Sequence, residues 1–218
     1  MKHSMFKTTL LSCFMVMGFA FSAQGEEKIL MVKSPDNRLE IKVMLGDALK
    51  YSVSSHHQII LAPSAIGLVM GSGEMKGAYP ILVSQKSRSV HETIVSPNYR
   101  FSSFDVTYNE LQIQLKDGLG VLFRAYNEGV AYRFVTSAEG DIDIEDEVAQ
   151  FNFNNDYVTY LPFSTDTKDV YAMAHQNTYD VKPLTQANQM LPAFLPVLVD
   201  YGNGTKLTIT ESDLESYP

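Results

Sequence analysis

Apolar and polar residues alternate with a period of two along most of the chain. Leu39, Ile41, Val43 and Leu45 are interleaved with Glu40, Lys42 and Met44; Gly46-Asp47 interrupts the pattern, and Leu49, Tyr51 and Val53 then alternate with Lys50, Ser52 and Ser54. Successive side chains of a strand point to opposite faces, so this predicts a hairpin with one buried face. Leu111, Ile113 and Leu115 against Gln112, Gln114 and Lys116 predict another half-buried strand, closed by Asp117-Gly118, whose glycine accepts the positive φ of a tight turn. Residues 120–126 and 130–136 flank Asn127-Glu128-Gly129 as a further hairpin. Extended runs are also expected at 79–84, 89–95, 99–108, 141–153, 157–161, 194–200 and 206–210. No long stretch keeps a 3.6-residue period, and the best helical candidate, 183–190, is short and polar. Turn signals recurring every ~8–12 residues between short strands indicate an all-β sandwich or barrel, and so many strands favour two large, mainly antiparallel sheets packed face to face. No internal repeat or linker divides the chain.

The first 25 residues follow a different pattern. Lys2 and Lys7 precede an apolar run at 8–21, and Ala23-Gln24-Gly25 places small residues at a cleavage site before Glu26. This is the anatomy of a secretory signal, and the run is shorter than the roughly 20 residues of a membrane span. Leu10-Leu11-Ser12-Cys13 also fits a lipoprotein box, but most of the apolar segment would then follow the cut. Cleavage after Gly25 leaves one domain, 26–218, periplasmic or secreted. Cys13 is the single cysteine, so that domain has neither disulfide nor thiol nucleophile.

Composition narrows the function classes. Hydrophobic residues are 45% and aromatic residues 11% of 218, enough for a packed core. The net charge is -8, with no run of cations, which argues against nucleic acid and, after signal cleavage, against an anionic membrane surface.

The familiar catalytic templates are absent: no phosphate loop, no strand-serine-helix elbow and no His-Glu-x-x-His. His56-His57, read as neighbours on a strand, would point to opposite faces and could not chelate one ion. His91 and His175 are isolated. Asp141, Asp143, Glu145 and Glu147 recur at period two, which suits either a hard cation or a charged edge strand; no glycine stands at the sixth position of the run, which favours the edge strand. After the strand at 206–210 come Glu211-Ser212-Asp213. Glu-x-Asp at a strand end offers oxygen ligands and reads equally as a frayed acidic tail. Asn203-Gly204-Thr205 fits a glycan acceptor, but Gly202-Asn203-Gly204 between two strands is accounted for by turn geometry.

Three stretches, in this order, resemble the N-terminal domain of glycoside hydrolase family 97, the exported, calcium-dependent α-glucosidases and α-galactosidases. They are Ser34-Pro35-Asp36-Asn37 leading into Leu39 and on to Leu49, Tyr51 and Val53; Phe123-Arg124-Ala125-Tyr126-Asn127-Glu128-Gly129-Val130-Ala131-Tyr132-Arg133-Phe134; and Leu207-Thr208-Ile209-Thr210-Glu211-Ser212-Asp213-Leu214 with Tyr217-Pro218. The resemblance implies a β-supersandwich, similar to the mutarotase-like sugar-handling domains. In the family this domain precedes a (β/α)8 barrel that carries the catalytic carboxylates. Here the chain stops where the barrel is expected to begin, which implies a truncated product or gene fragment. Glycoside hydrolysis needs two carboxyl groups ~5–9.5 Å apart, so the domain is expected to be inactive alone. The resemblance also assigns Glu211, in the Thr-Glu-x-Asp-Leu stretch, as one ligand of a catalytic calcium. One carboxylate does not satisfy an ion that takes ~6–8 oxygens, so the isolated domain is expected to bind calcium weakly or not at all.

These readings give a non-catalytic, carbohydrate-associated sandwich domain that supports a barrel's active site, with α-linked oligosaccharide as the substrate class of the family. Arg124 and Arg133 are candidates to hydrogen-bond sugar hydroxyls, and Tyr126 and Tyr132 to stack on sugar rings; ordinary cross-strand pairing accounts for the same residues. A stand-alone aldose epimerase is the alternative of a different class, with only His175 and His91 to serve as acid or base. A binding-only exported protein that pairs with a separately encoded barrel is the third; an exposed apolar edge at Leu207, Ile209 and Leu214 would support it.

Overall fold

A computed structural model describes residues 27–96, 100–164, 168, 177–188 and 190–212. The predicted signal, His175, Asp213 and Leu214 lie outside them. Among the described residues fourteen strands, numbered β1–β14 in chain order, form three antiparallel sheets. The first joins β1 (Lys28–Lys33), β2 (Leu39–Leu45), β3 (Leu49–Ser55), β4 (Gln58–Met70) and β10 (Ile144–Ala149) in that order, with the two-residue β5 (Met75–Lys76) also on β4. The second runs β6 (Leu82–Val95), β7 (Ser103–Leu115), β8 (Leu119–Tyr126), β9 (Val130–Thr136). The third has the order β12-β11-β13-β14, from β11 (Val158–Leu161), β12 (Asp180–Pro183), β13 (Val197–Asp200) and β14 (Lys206–Ile209).

The first two sheets make the sandwich. Ile41, Val43, Tyr51, Val53 and Ile66 pack against Leu111, Ile113, Leu115, Val121, Phe123 and Ala125, all buried. Each large side chain removed from water contributes roughly 1.5–3 kcal/mol. Tyr132 and Phe134 of β9 join this layer: the Tyr132 ring lies 5.5 Å from that of Tyr51 and 6.4 Å from that of Phe123. The hydroxyl of Tyr132 donates to Glu147 of β10 at 3.1 Å. Tyr132 is therefore an interior residue and not the outward sugar platform that the sequence suggested.

The fold is the expected all-β sandwich, and three features go beyond the pattern. The runs expected at 79–84 and 89–95 are parts of one continuous region ending in β6, and those at 99–108 and 111–115 merge in β7. Their shared ladder pairs Val95 with Ser103 and continues to Leu82 with Leu115. Its middle is polar on both faces, which erases the alternation without weakening the backbone bonds. β4 escaped sequence reading because Tyr51 opposes Ser64 while Val53 opposes Leu61, and Ser54 then opposes Ile59. Each shift inserts an extra residue in β4, so its apolar positions lose their period. Pro63 sits at the first of these bulges, where a missing N–H is tolerated. The best helical candidate, 183–190, holds a 3-10 turn, Leu184–Gln186.

The third sheet was expected only as scattered strands. It is tied to β4 through the Tyr201 hydroxyl, which donates to the Ile60 carbonyl, and the segment before β11 is held to β4 by the Ala62 amide, which donates to the Asn152 carbonyl at 2.9 Å. The rings of Tyr157 and Tyr201 stand 4.4 Å apart beside Phe153. Leu207 and Ile209 oppose Val199 and Val197 on edge strand β14 and are half-buried; Leu214, the third residue of the edge that would support a partner, lies outside the described residues.

His56 and His57 are not strand neighbours. They are the two central residues of the β3–β4 hairpin, with φ of 49° and 66°. This is the left-handed geometry of a two-residue turn, which favours Asn-Gly and costs a β-carbon-bearing residue about 1 kcal/mol. His57→Gly is expected to stabilise the chain by about 0.5–1 kcal/mol, after allowing for the greater freedom of glycine when unfolded. A urea midpoint that falls in this variant would contradict the turn assignment.

Candidate functional site

The β6–β9 sheet has two unlike faces because its residues alternate. From Leu111 to Leu115 in β7 and along β8 the odd positions enter the core, and the even positions lie on the other face. Arg88 of β6, Glu110 of β7 and Arg124 of β8 stand directly opposite one another across the ladder. Arg88 Nε donates to Glu110 Oε1 at 2.6 Å, and Arg124 Nε donates to Glu110 Oε2 at 2.8 Å. Glu110 is buried, its side chain only 3% exposed, while those of Arg88 and Arg124 are 53% and 35% exposed. One carboxylate thus carries a guanidinium on each side.

Aromatic rings extend this arrangement. The Arg124 guanidinium lies 4.5 Å from the centre of the Tyr108 ring, a cation–π contact, and Tyr108 and Tyr126 are 4.9 Å apart. Tyr108 is buried, and its hydroxyl donates to Glu92 at 3.3 Å. Arg133 of β9 opposes Leu122 and shares the outer face with Arg124 and Tyr126. The three candidate sugar-contact residues therefore lie on one face, Arg124 and Tyr126 two apart on β8 and Arg133 on the adjacent β9. Arg88, Tyr108 and Glu110 belong to the same surface and were missed.

The end of this sheet meets the first sheet. The Asp36 amide donates to Asn127 Oδ1 at 3.1 Å, and Asn109 Nδ2 donates to the Lys33 carbonyl at 2.8 Å. The Ser34-Pro35-Asp36-Asn37 turn and the Asn127-Glu128-Gly129 turn are thus in contact. Asp36 is held down to about 2, chiefly by the Ser34 hydroxyl and then by the Arg38 amide.

The remaining candidates are dispersed. Glu211 lies just beyond β14 and is exposed, on a different sheet from Arg124. Among the described residues no group of three or more His, Asp or Glu side chains is placed to hold a metal ion. Glu211 by itself is a suitable oxygen donor and not a calcium site, so the described residues do not fit the ion without ligands from elsewhere. Of the acidic run, Glu145 and Glu147 lie on edge strand β10 and Asp141 and Asp143 precede it; the register shifts between Ile144 and Asp146. That shift breaks the single row of carboxylates. His91 hydrogen-bonds Thr107 through Nδ1 at 2.7 Å on the exposed part of the β6–β7 ribbon. At the β13–β14 turn the Thr205 amide donates to Asn203 Oδ1 at 3.0 Å, with Gly202 and Gly204 at φ of 75° and 90°.

Fold and surface together define an antiparallel sandwich domain with an arginine- and tyrosine-bearing outer face. The family model described as Glycosyl-hydrolase 97 N-terminal matches residues 32–218, and the chain belongs to that family. It is 35% identical over 216 residues to the retaining alpha-galactosidase of Bacteroides thetaiotaomicron, covering 97% of this chain and 32% of that protein. Among solved structures it is similar to a beta-arabinopyranosidase (TM-score 0.74, 22% identity, 85% of this chain and 32% of the other). It is also similar to a glycoside hydrolase family 97 enzyme from Pseudoalteromonas sp. strain K8, solved in complex with panose (TM-score 0.60, 18% identity, 78% and 26%). The chain spans about a third of the length of these proteins.

The Arg88 hydrogen bond, followed by that of Arg124, holds the Glu110 carboxyl below its ordinary 4.5 despite burial. A depressed carboxylate stabilises the folded chain above the unfolded value and loses that contribution as pH falls through the folded one. Glu110→Gln is expected to cost about 1–3 kcal/mol at pH 7, less than a sealed pair because both arginines reach water. Denaturant unfolding at descending pH should show the gap between variant and wild type closing below pH 4.5; a constant gap would disprove the ionic role.

Proposed function

We propose that this chain is the non-catalytic N-terminal domain of an exported α-glycosidase, periplasmic or secreted, and that it supports the active site of a (β/α)8 barrel joined to it or encoded separately. The observation that carries this reading is the family match over residues 32–218, in a chain that covers only 32% of the similar α-galactosidase. The similar Pseudoalteromonas enzyme in complex with panose supports an α-linked oligosaccharide as the substrate of the whole. On this reading Arg124, Tyr126 and Arg133 lie where sugar or barrel would be met. Glu211 donates one carboxylate to a calcium whose other ligands come from the barrel.

Glycosidic cleavage requires a proton donor on one side of the bond and a carboxylate on the other. Three of the described acids are held in other pairs: Glu110 lies between two arginines, Asp36 is tied to Ser34 and Arg38, and Asp200 is paired with Lys206. The highly purified chain is expected to release no nitrophenol from aryl α-glucosides or α-galactosides. Restoration of hydrolysis on mixing with a separately produced barrel segment of the related α-galactosidase would support the partnership, and robust activity of the chain alone would overturn it.

Calcium provides an independent check. Calorimetric titration of the isolated chain is expected to show no micromolar site, since one exposed carboxylate meets a fraction of the ion's coordination. A micromolar site abolished by Glu211→Gln would mean that the domain holds the ion on its own.

A further inference from the structure

We propose that two copies of this chain pair through their β6 edges, antiparallel about a twofold axis at Ser89, and so join their β6–β9 sheets into one.

The edge itself is the first ground. An edge strand presents unpaired N–H and C=O groups to any other strand, and folded proteins keep such edges short, bulged or broken by proline. β6 ends its sheet and is 14 residues long. The other edge strands, β1, β9, β10, β12 and β14, have four to seven residues. From Ser84 onward β6 contains neither proline nor glycine, and its ladder to β7 has no further shift. Residues 84–94 are exposed apart from half-buried Val90, and none belongs to the core. What guards this edge against foreign strands is the charge of Lys86, Arg88 and Glu92.

Those charges select the partner. In a twofold antiparallel pair, opposed residues share a face in both copies, so the axis passes through a residue. With the axis at Ser89, Lys86 of each copy stands opposite Glu92 of the other, Arg88 opposite Val90, and Ser84 opposite Ile94. On the other face Ser87 meets His91 and Gln85 meets Thr93, all able to hydrogen-bond. No like charges are opposed. An axis one residue earlier sets Arg88 against Arg88, which is unfavourable. An axis one residue later leaves Lys86 against Ile94 and asks Glu92 to compete for Arg88, whose Nε already serves Glu110 at 2.6 Å. Within its own sheet Lys86 opposes Gln112 and Glu92 opposes Val106, so neither meets an opposite charge across the ladder.

Support of the ribbon is an independent ground. β8 pairs with β7 only from Tyr108 onward, so 91–107 is a two-stranded ribbon. Such a ribbon alone is marginal in water. In the dimer centred at Ser89, residues 91–94 of each copy run along 84–87 of the other, where that copy's β7 and β8 stand behind. Each bare end thereby gains a braced neighbour. One edge per chain covers less than the roughly 800 Å2 per partner of a tight complex, so the dimer dissociates on dilution.

Sedimentation equilibrium of the purified chain over rising concentration is the test, and a monomer–dimer equilibrium is expected. Lys86→Glu and Glu92→Lys each set like charges face to face at two places and should weaken association about tenfold or more. The double variant Lys86→Glu/Glu92→Lys reverses both pairs and should restore it to within about twofold. Mixed in equal amounts, the two single variants should form a heterodimer more tightly than either pairs with itself. Amide hydrogen exchange should show protection of β6 that rises with concentration while β1 and β9 stay unchanged. A chain that remains monomeric at millimolar concentration, an open series of larger species, or a loss in the single variants that the double variant does not restore would overturn the proposal.

Discussion

The alternation of side chains along β7 and β8 is the constraint on which both halves of this molecule depend. It sends Leu111, Ile113, Val121 and Phe123 into the sandwich, and by the same geometry it places Tyr108, Glu110, Arg124 and Tyr126 on the opposite face. A slip of one residue in that hairpin would bury the charges and expose the core. The interior therefore fixes the register, and the register builds the triad. The Glu110 carboxylate does not need to provide net stability to be held in place, since the apolar layer behind it already excludes every other pairing.

That coupling explains what was legible beforehand. The strands around Leu39 to Val53 and Leu111 to Thr136 could be read because each has one buried and one wet face. The outer-face residues Arg124, Tyr126 and Arg133 could be named from the second stretch of family resemblance. Arg88 and Glu110 could not, because ion pairs across strands lie far apart in sequence and leave no local period. Extending the alternation of β7 back from Leu111 would have put Glu110 and Tyr108 on the polar face, and the turn at Asp117-Gly118 would have set Glu110 opposite Arg124. The signal was present as geometry, one step beyond composition.

Other features were hidden for different reasons. β4 carries apolar residues without a period because two bulges shift them between faces, and Pro63 and Gly67 read locally as breakers. His56-His57 contradicts ordinary turn preference, and only the pairing of Ser55 with Gln58 reveals the hairpin. The third sheet has strands of four residues each, too short for alternation to stand out. Its attachment depends on contacts such as Tyr201 with Ile60, 141 residues apart in the sequence.

The energetics of the triad bear on what such a feature contributes on this sheet. A buried carboxylate between two arginines is a poor route to stability, because desolvation offsets most of the attraction and a well-packed apolar residue often does as well. Its distinctive product is orientation: two guanidiniums held at fixed spacing with their outer edges toward solvent. Orientation has little value on a free surface and considerable value where a neighbour must be seated repeatedly in one pose. The sandwich beneath supplies the rigidity, since the odd-numbered side chains that lock the sheet are the immediate neighbours of the even-numbered ones that present the charge.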